Sequence, residues 1–185
     1  MRKVFLAASA FLVPAALAAA ALPLTFAPGS KVWVEGTSTA RSWRCESTSL
    51  SGSVTAGGAT LATLGAVSAG RVAVPVASLD CKNGTMNGHM RNALKADQAS
   101  TLSFRATEVT VRGGEAQVQG ELSMAGQSRP VTMSATVAQE DGGLRVRGTR
   151  RIDMTEWGVR PPTLMMGTMK VHPNATIGFD VILRP

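Results

Sequence analysis

The chain has no tyrosine, only three tryptophans and five phenylalanines, two histidines and two cysteines in 185 residues. So few rings offer few surfaces on which bases could stack, which argues against nucleic acid as a partner. Catalytic signatures are missing too. Gly36-Thr37-Ser38-Thr39-Ala40 approaches a nucleophile elbow but lacks the final glycine and sits in a β-rich stretch rather than at a strand-to-helix turn. The carboxylates Asp80, Glu108, Glu121, Asp153 and Glu156 show no acid/base pairing, and no glycine loop suited to phosphates is present. The expectation is a protein that is not an enzyme. No repeat or heptad follows the N-terminal segment.

One long apolar run exists. Arg2 and Lys3 precede the alanine-rich stretch Val4 to Leu22, and the sites after Ala20 and Ala21 fit the small-residue rule for signal cleavage. Residues 1–21 read as a signal peptide and 22–185 as the mature domain, exported to the periplasm or secreted. An uncleaved anchor is the competing reading, which Pro14 and the cleavage sequence disfavour. Removing Arg2 and Lys3 takes the formal charge from +7 to +5. Apart from Arg145, Arg147, Arg150 and Arg151 the basic residues are scattered, which leaves room for transient contact with a membrane surface but not for a nucleic-acid groove. In an oxidising compartment Cys45 and Cys81 are expected to form a disulfide.

What the sequence does contain is alternation. Ala116, Val118, Gly120, Leu122 and Met124 fall on one side of a period-two pattern, and Val131, Met133, Ala135 and Val137 resume it after a turn at Ala125–Ser128. This is a hairpin with one dry and one wet face. The same alternation marks strands through Val32 and Val34, Leu50–Ala56, Arg71–Leu79, Leu102–Ala106, Leu144–Gly148 and Ala175–Leu183. Lys31 to Trp43 reads as one long bent strand, Leu24–Ser30 as a lead-in, and residues 59–69 stay undecided. Met86, Met90, Ala93 and Leu94 give the one amphipathic helix, from about Thr85 to Ala96. Asp153 is placed to cap a single turn, Met154–Trp157, ended by Gly158.

About eight strands and one helix make an all-β, antiparallel fold, in which the sheet must either fold over as a sandwich or close as a barrel. Inner faces made of Val, Ala, Gly, Leu and Met, with only Phe104 and Phe179 as large rings, leave two interiors open: an apolar ligand cavity or a packed core.

Gly120-Glu-Leu-Ser-Met-Ala-Gly-Gln-Ser-Arg-Pro-Val-Thr-Met resembles the strand-turn-strand signature of the YceI-like family. Met86–Phe104 is similar to that family's helix and following strand. Ile152-Asp-Met-Thr-Glu-Trp-Gly-Val-Arg-Pro-Pro162 resembles a stretch found in one of its subgroups. The N-terminal pattern departs: Gly29-Ser30-Lys31-Val32-Trp33-Val34-Glu35-Gly36 lacks the usual histidine and phenylalanine, and paired cysteines belong only to some members. The resemblance implies an eight-stranded lipocalin-like barrel holding an isoprenoid or fatty lipid non-covalently, as carrier, store or sensor, with no other cofactor.

The candidate lipid-lining residues are Leu102, Phe104, Val118, Leu122, Met124, Val131, Met133, Ile177 and Phe179. Met165 and Met166, with Met154 and Met169, form a candidate gate of flexible thioethers. Arg150 falls on the apolar side of its strand, where a cation needs a partner: a lipid head group, Asp153 or Glu156. A bulge turning it outward is the bland alternative. A second reading is copper binding through Met166-x-x-Met169 or Met86-x-x-His89-Met90. His89 alone reads as a surface helix residue and His172 as a loop residue.

Overall fold

The computed structural model describes residues 22–56, 67–140 and 142–185. Residues 1–21, with the expected signal peptide, lie outside it, as does most of the undecided segment 59–69. The strands are β1 (Leu22–Phe26), β2 (Lys31–Ser38), β3 (Ser42–Ser47), β4 (Ser51–Ala56), β5 (Val67–Pro75), β6 (Thr101–Arg112), β7 (Glu115–Met124), β8 (Gln127–Glu140), β9 (Gly143–Asp153), β10 (Thr163–Leu164) and β11 (Met169–Arg184). One α-helix, α1 (Gly84–Ala93), stands between β5 and β6.

These strands close into an eight-stave antiparallel barrel. β2 and β1 pair in succession with the same edge of β11, at Lys31↔Asp180 and Phe26↔Leu183, so together they form one interrupted stave. β3 and β4 form the next, pairing with β2 and β1 in turn. The ladder then runs β4-β5-β6-β7-β8-β9-β11 and returns to the first stave. Closure removes the free edges that an open sheet would present.

The expected single strand from Lys31 to Trp43 is instead a hairpin. The Ser38 hydroxyl accepts from the amides of Ala40 and Arg41 and donates to the Arg41 carbonyl at 2.8 Å. A short hydroxyl side chain can thus bend the backbone where apolar alternation has stopped. The lead-in is likewise a strand, β1, held by β4 and the end of β11. The β7–β8 turn matches the sequence closely. Ala125 and Gly126 both have left-handed backbones (φ 49° and 79°), the geometry that suits the right-handed twist of two strands joined by two residues.

β5 stops at Pro75, and one open end of the barrel is filled by the segment that follows. The Asp80 backbone pairs with Glu46 of β3, the Glu46 amide donating to the Asp80 carbonyl at 3.0 Å and the Asp80 amide to the Glu46 carbonyl at 2.8 Å. Beside that bridge the Cys45–Cys81 disulfide joins the same two segments. The Asn83 side chain caps α1 by accepting from the Met86 amide, and Asn87 accepts from the Cys81 amide at 2.7 Å. The α1 entry is therefore held by a covalent bond, a backbone bridge and two asparagines.

Outward positions carry the charges. Arg145 donates to Asp180 at 2.7 and 2.9 Å and to Glu140, and Arg147 pairs with Asp180 at 3.2 Å. These arginines hold the Asp180 carboxyl below its usual range. Arg44 bridges Glu35 and Glu46 and stacks 4.2 Å over the Trp33 ring.

Candidate ligand-binding cavity

Inward positions enclose a cavity of about 560 Å³. Its wall is almost entirely apolar, and no aspartate or glutamate lies among the described lining residues. The barrel is thus not packed solid by its own side chains, and an apolar space of this size falls within the range of small-molecule sites.

Four aromatic rings pack on glycines, and the three on the cavity side explain the room. Each lies against a glycine where any Cβ would collide with it: Phe104 on Gly120, Phe179 on Gly148, Trp43 on Gly36 and Trp33 on Gly178. A ring laid over a glycine covers exposed backbone and stays close to the wall instead of projecting to the axis. Phe104, Phe179 and Trp43 do this on the cavity side, and Trp33 beneath Arg44 on the outer face. Apart from Phe26, the rest of the apolar wall is mainly Val, Ala, Leu, Ile and Met.

Eight of the sequence-derived candidates face the cavity: Leu102, Phe104, Val118, Leu122, Met124, Met133, Ile177 and Phe179. Val131 does not. It is buried in the main core cluster with Met154, Trp157 and Val159, the turn that plugs this side of the barrel. Trp157 is 1 % exposed and its indole N–H donates to the Leu122 carbonyl at 2.8 Å. Asp153 caps this turn through the Thr155 amide, and Gly158 ends it with φ 68°, as the spacing predicts, although the turn is a 3-10 helix.

Arg150 also stands apart from the cavity. Its register opposite Ile177 gives it inward parity, yet its side chain is exposed and forms no ion pair among the described residues. The β8–β9 ladder ends at Ser134↔Thr149, so Arg150 stands beside a free strand edge where a cation can reach water. Asp153, one of its proposed partners, is occupied in capping. Met166 is fully exposed at 105 % and is not among the described residues lining this cavity, whereas Met154 and Met169 are. The Met165 side chain lies outside the described part of the structure.

Sequence reasoning missed the helix as wall. Met86, Met90, Ala93 and Leu94 all border the cavity, so the apolar stripe of α1 forms its end, and the stripe itself was the signal. Val32, Val34 and Val146, also on the wall, carried the alternation but were left out of the site. The methionines proposed for copper divide: Met166 faces solvent and Met169 the cavity, and the Arg41 guanidinium sits 3.6 Å from the Met86 sulfur. A fixed cation against a thioether opposes binding of a metal cation there.

A closed antiparallel barrel with a capping helix and an apolar-walled interior cavity defines a lipocalin-like fold. The model of the YceI-like domain matches residues 29–183, and the chain belongs to that family. A UPF0312 protein of Vibrio cholerae is 34 % identical over 98 residues, covering 48 % of this chain and 52 % of its own. A UPF0312 protein of Pseudomonas aeruginosa is 28 % identical over 98 residues, covering 49 % and 51 %. The chain thus spans about half the length of these curated relatives.

Among solved structures, Burkholderia cenocepacia BcnA superposes with a TM-score of 0.69 at 18 % identity, over 83 % of this chain and 95 % of that one. A polyisoprenoid binding domain from Saccharophagus degradans, implicated in plant cell wall breakdown, gives 0.66 at 12 % identity, over 88 % and 97 %. At these identities the likeness is one of fold.

Proposed function

We propose that this protein is an exported carrier, store or sensor that holds an isoprenoid-like or other long-chain amphiphile non-covalently in the barrel. The observation that carries this reading is the cavity itself: about 560 Å³ of space walled by apolar side chains. Such a space gains by accepting a hydrocarbon, at about 25 cal/mol for each Å² of apolar surface removed from water. Membership of the YceI-like family and the fold shared with a polyisoprenoid binding domain support the same reading. The signal-like N-terminus and the Cys45–Cys81 disulfide favour an oxidising compartment outside the cytoplasm. The reading assigns the site binding rather than catalysis.

The test is organic extraction of the protein purified from its source, followed by mass spectrometry, with native mass spectrometry before and after delipidation. A stoichiometric long-chain amphiphile is the expected result. An empty protein that also fails to take up any hydrocarbon chain after purification would overturn the reading.

A further inference from the structure

Resting on that reading, we propose that the guest is a single-tailed amphiphile of about twenty non-hydrogen atoms with an anionic head, held by Arg41 at the mouth. Two independent observations give the tail and the head.

The tail follows from volume. An apolar cavity of about 150 Å³ accommodates one six-carbon ring, or roughly 25 Å³ per heavy atom. A space of about 560 Å³ therefore takes about twenty atoms on that scale. A prenyl chain of about forty carbons would need close to twice the room.

The head follows from the distribution of polarity. Ser38, Arg41, Asn83, Thr85 and His89 gather where α1 meets the β2–β3 turn, while the opposite half of the wall is built from residues such as Val109, Val111 and Leu183. The other two polar residues of the wall, Arg71 and Ser103, have the outward parity of their strands, next to the inward Val72 and Leu102. An amphiphile therefore enters tail first. The Arg41 backbone is fixed: its carbonyl accepts from the Ser38 amide at 2.9 Å, and the turn is tied to the start of β11 by Thr39, whose hydroxyl donates to the Thr168 carbonyl at 3.1 Å and whose amide donates to the Lys170 carbonyl at 3.0 Å. Its guanidinium has one hydrogen-bond partner among the described residues, the Met86 sulfur, a weak neutral acceptor.

The carboxylates on neighbouring segments are engaged elsewhere. Glu35 and Glu46 each bond Arg44 at 3.1 Å, and Asp80 bonds Lys82 at 2.9 Å. A planar fork of donors at the rim of a carboxylate-free cavity matches the paired oxygens of a carboxylate or a phosphate monoester.

The test titrates the delipidated protein by calorimetry with straight-chain acids of increasing length, the matching alcohols and alkyl monophosphates, and a prenyl chain of about forty carbons. Affinity is expected to climb roughly fourfold per methylene and to level off near twenty carbons. Acids and monophosphates should bind about tenfold more tightly than the alcohol of equal length.

Arg41→Gln should bring both anions down to the level of the alcohol while melting with the parent protein. Arg105→Gln is the control, because that cation pairs with Glu121 on the outer wall at 3.4 Å. Affinity that keeps climbing to forty carbons overturns the size assignment. Equal binding of acid and alcohol, or anion binding indifferent to Arg41→Gln, overturns the head assignment. Both of those outcomes leave the lipid-binding reading standing, whereas failure of every chain to bind removes that reading and this proposal together.

Discussion

The Phe104 ring on β6 rests on Gly120 of the neighbouring strand β7, so that a Cβ at residue 120 would fall onto the ring and 2.5 Å from the Arg105 carbonyl oxygen. This contact joins stability to cavity volume. Gly120→Val must push the ring toward the barrel axis and crowd the Arg105 backbone. The expected loss is about 1–3 kcal/mol, as for other overpacked sites, with a fall in lipid retained through purification. Adding Phe104→Leu should restore the space but only part of the stability, since the Arg105 carbonyl remains in the way. Urea unfolding and lipid extraction on the same samples check both.

The disulfide links residues 36 apart, and it holds the α1 entry at the end where β3 has no β5 beside it. Replacing Cys45 and Cys81 with alanine should lower stability by about 4 kcal/mol on the chain-entropy account. Amide exchange should rise first in Leu79–Ala93 and leave the β7–β8 hairpin protected, because that hairpin is held by ladders to β6 and β9 as well as by its own pairing. Hydrogen exchange resolved by segment measures this.

Trp157 fills the plug beside β8 and gives its indole proton to the Leu122 carbonyl. Trp157→Phe keeps most of the apolar surface but removes that bond, while the Leu122 carbonyl keeps its place in the ladder with Arg129. A cost of about 1 kcal/mol in urea unfolding is expected. A cost indistinguishable from zero would mean that the indole bond adds nothing to the ladder.

Acid should loosen the mouth before the barrel. Hydrogen bonds from the Lys82 side chain and amide and from Asn87 hold Asp80 down to about 2, and Thr155 lowers Asp153 in the plug. A carboxylate depressed in the folded state contributes stability that is present above its unfolded pKa, near 3.9, and lost as pH falls through its folded value. The melting temperature should therefore be level above about pH 5 and fall between about pH 4 and pH 2. Asp80→Asn should lie below the parent at neutral pH and show a shallower decline in acid. Scanning calorimetry across that range decides it, and parallel curves for the two proteins would count against Asp80.

Much of the wall could be read from a local rule. Leu102, Val118, Leu122, Met133 and Ile177 alternate with polar neighbours, and strand geometry forces alternate side chains to opposite faces whatever the strand pairs with. The β7–β8 turn, the Asp153 cap and Gly158 were legible for the same reason, since each depends on only a few adjacent residues. Arg150 and Val131 obey the same parity and still do not face the cavity. What decides them is that β8 and β9 part beyond Thr149 and that a turn packs into the opening.

The sequence by itself determined which faces are dry, where the helix stands and that two cysteines were available to join. Only the tertiary structure decided that β1 with β2 and β3 with β4 act as single staves, that the eighth meets the first, and that aromatic rings settle onto glycines far away in the chain. Phe179 lies 31 residues beyond Gly148 and Gly120 sixteen beyond Phe104, and such meetings are set by register around the closed ring, not by the preferences of neighbouring residues. Those meetings keep the rings against the wall and leave the middle open.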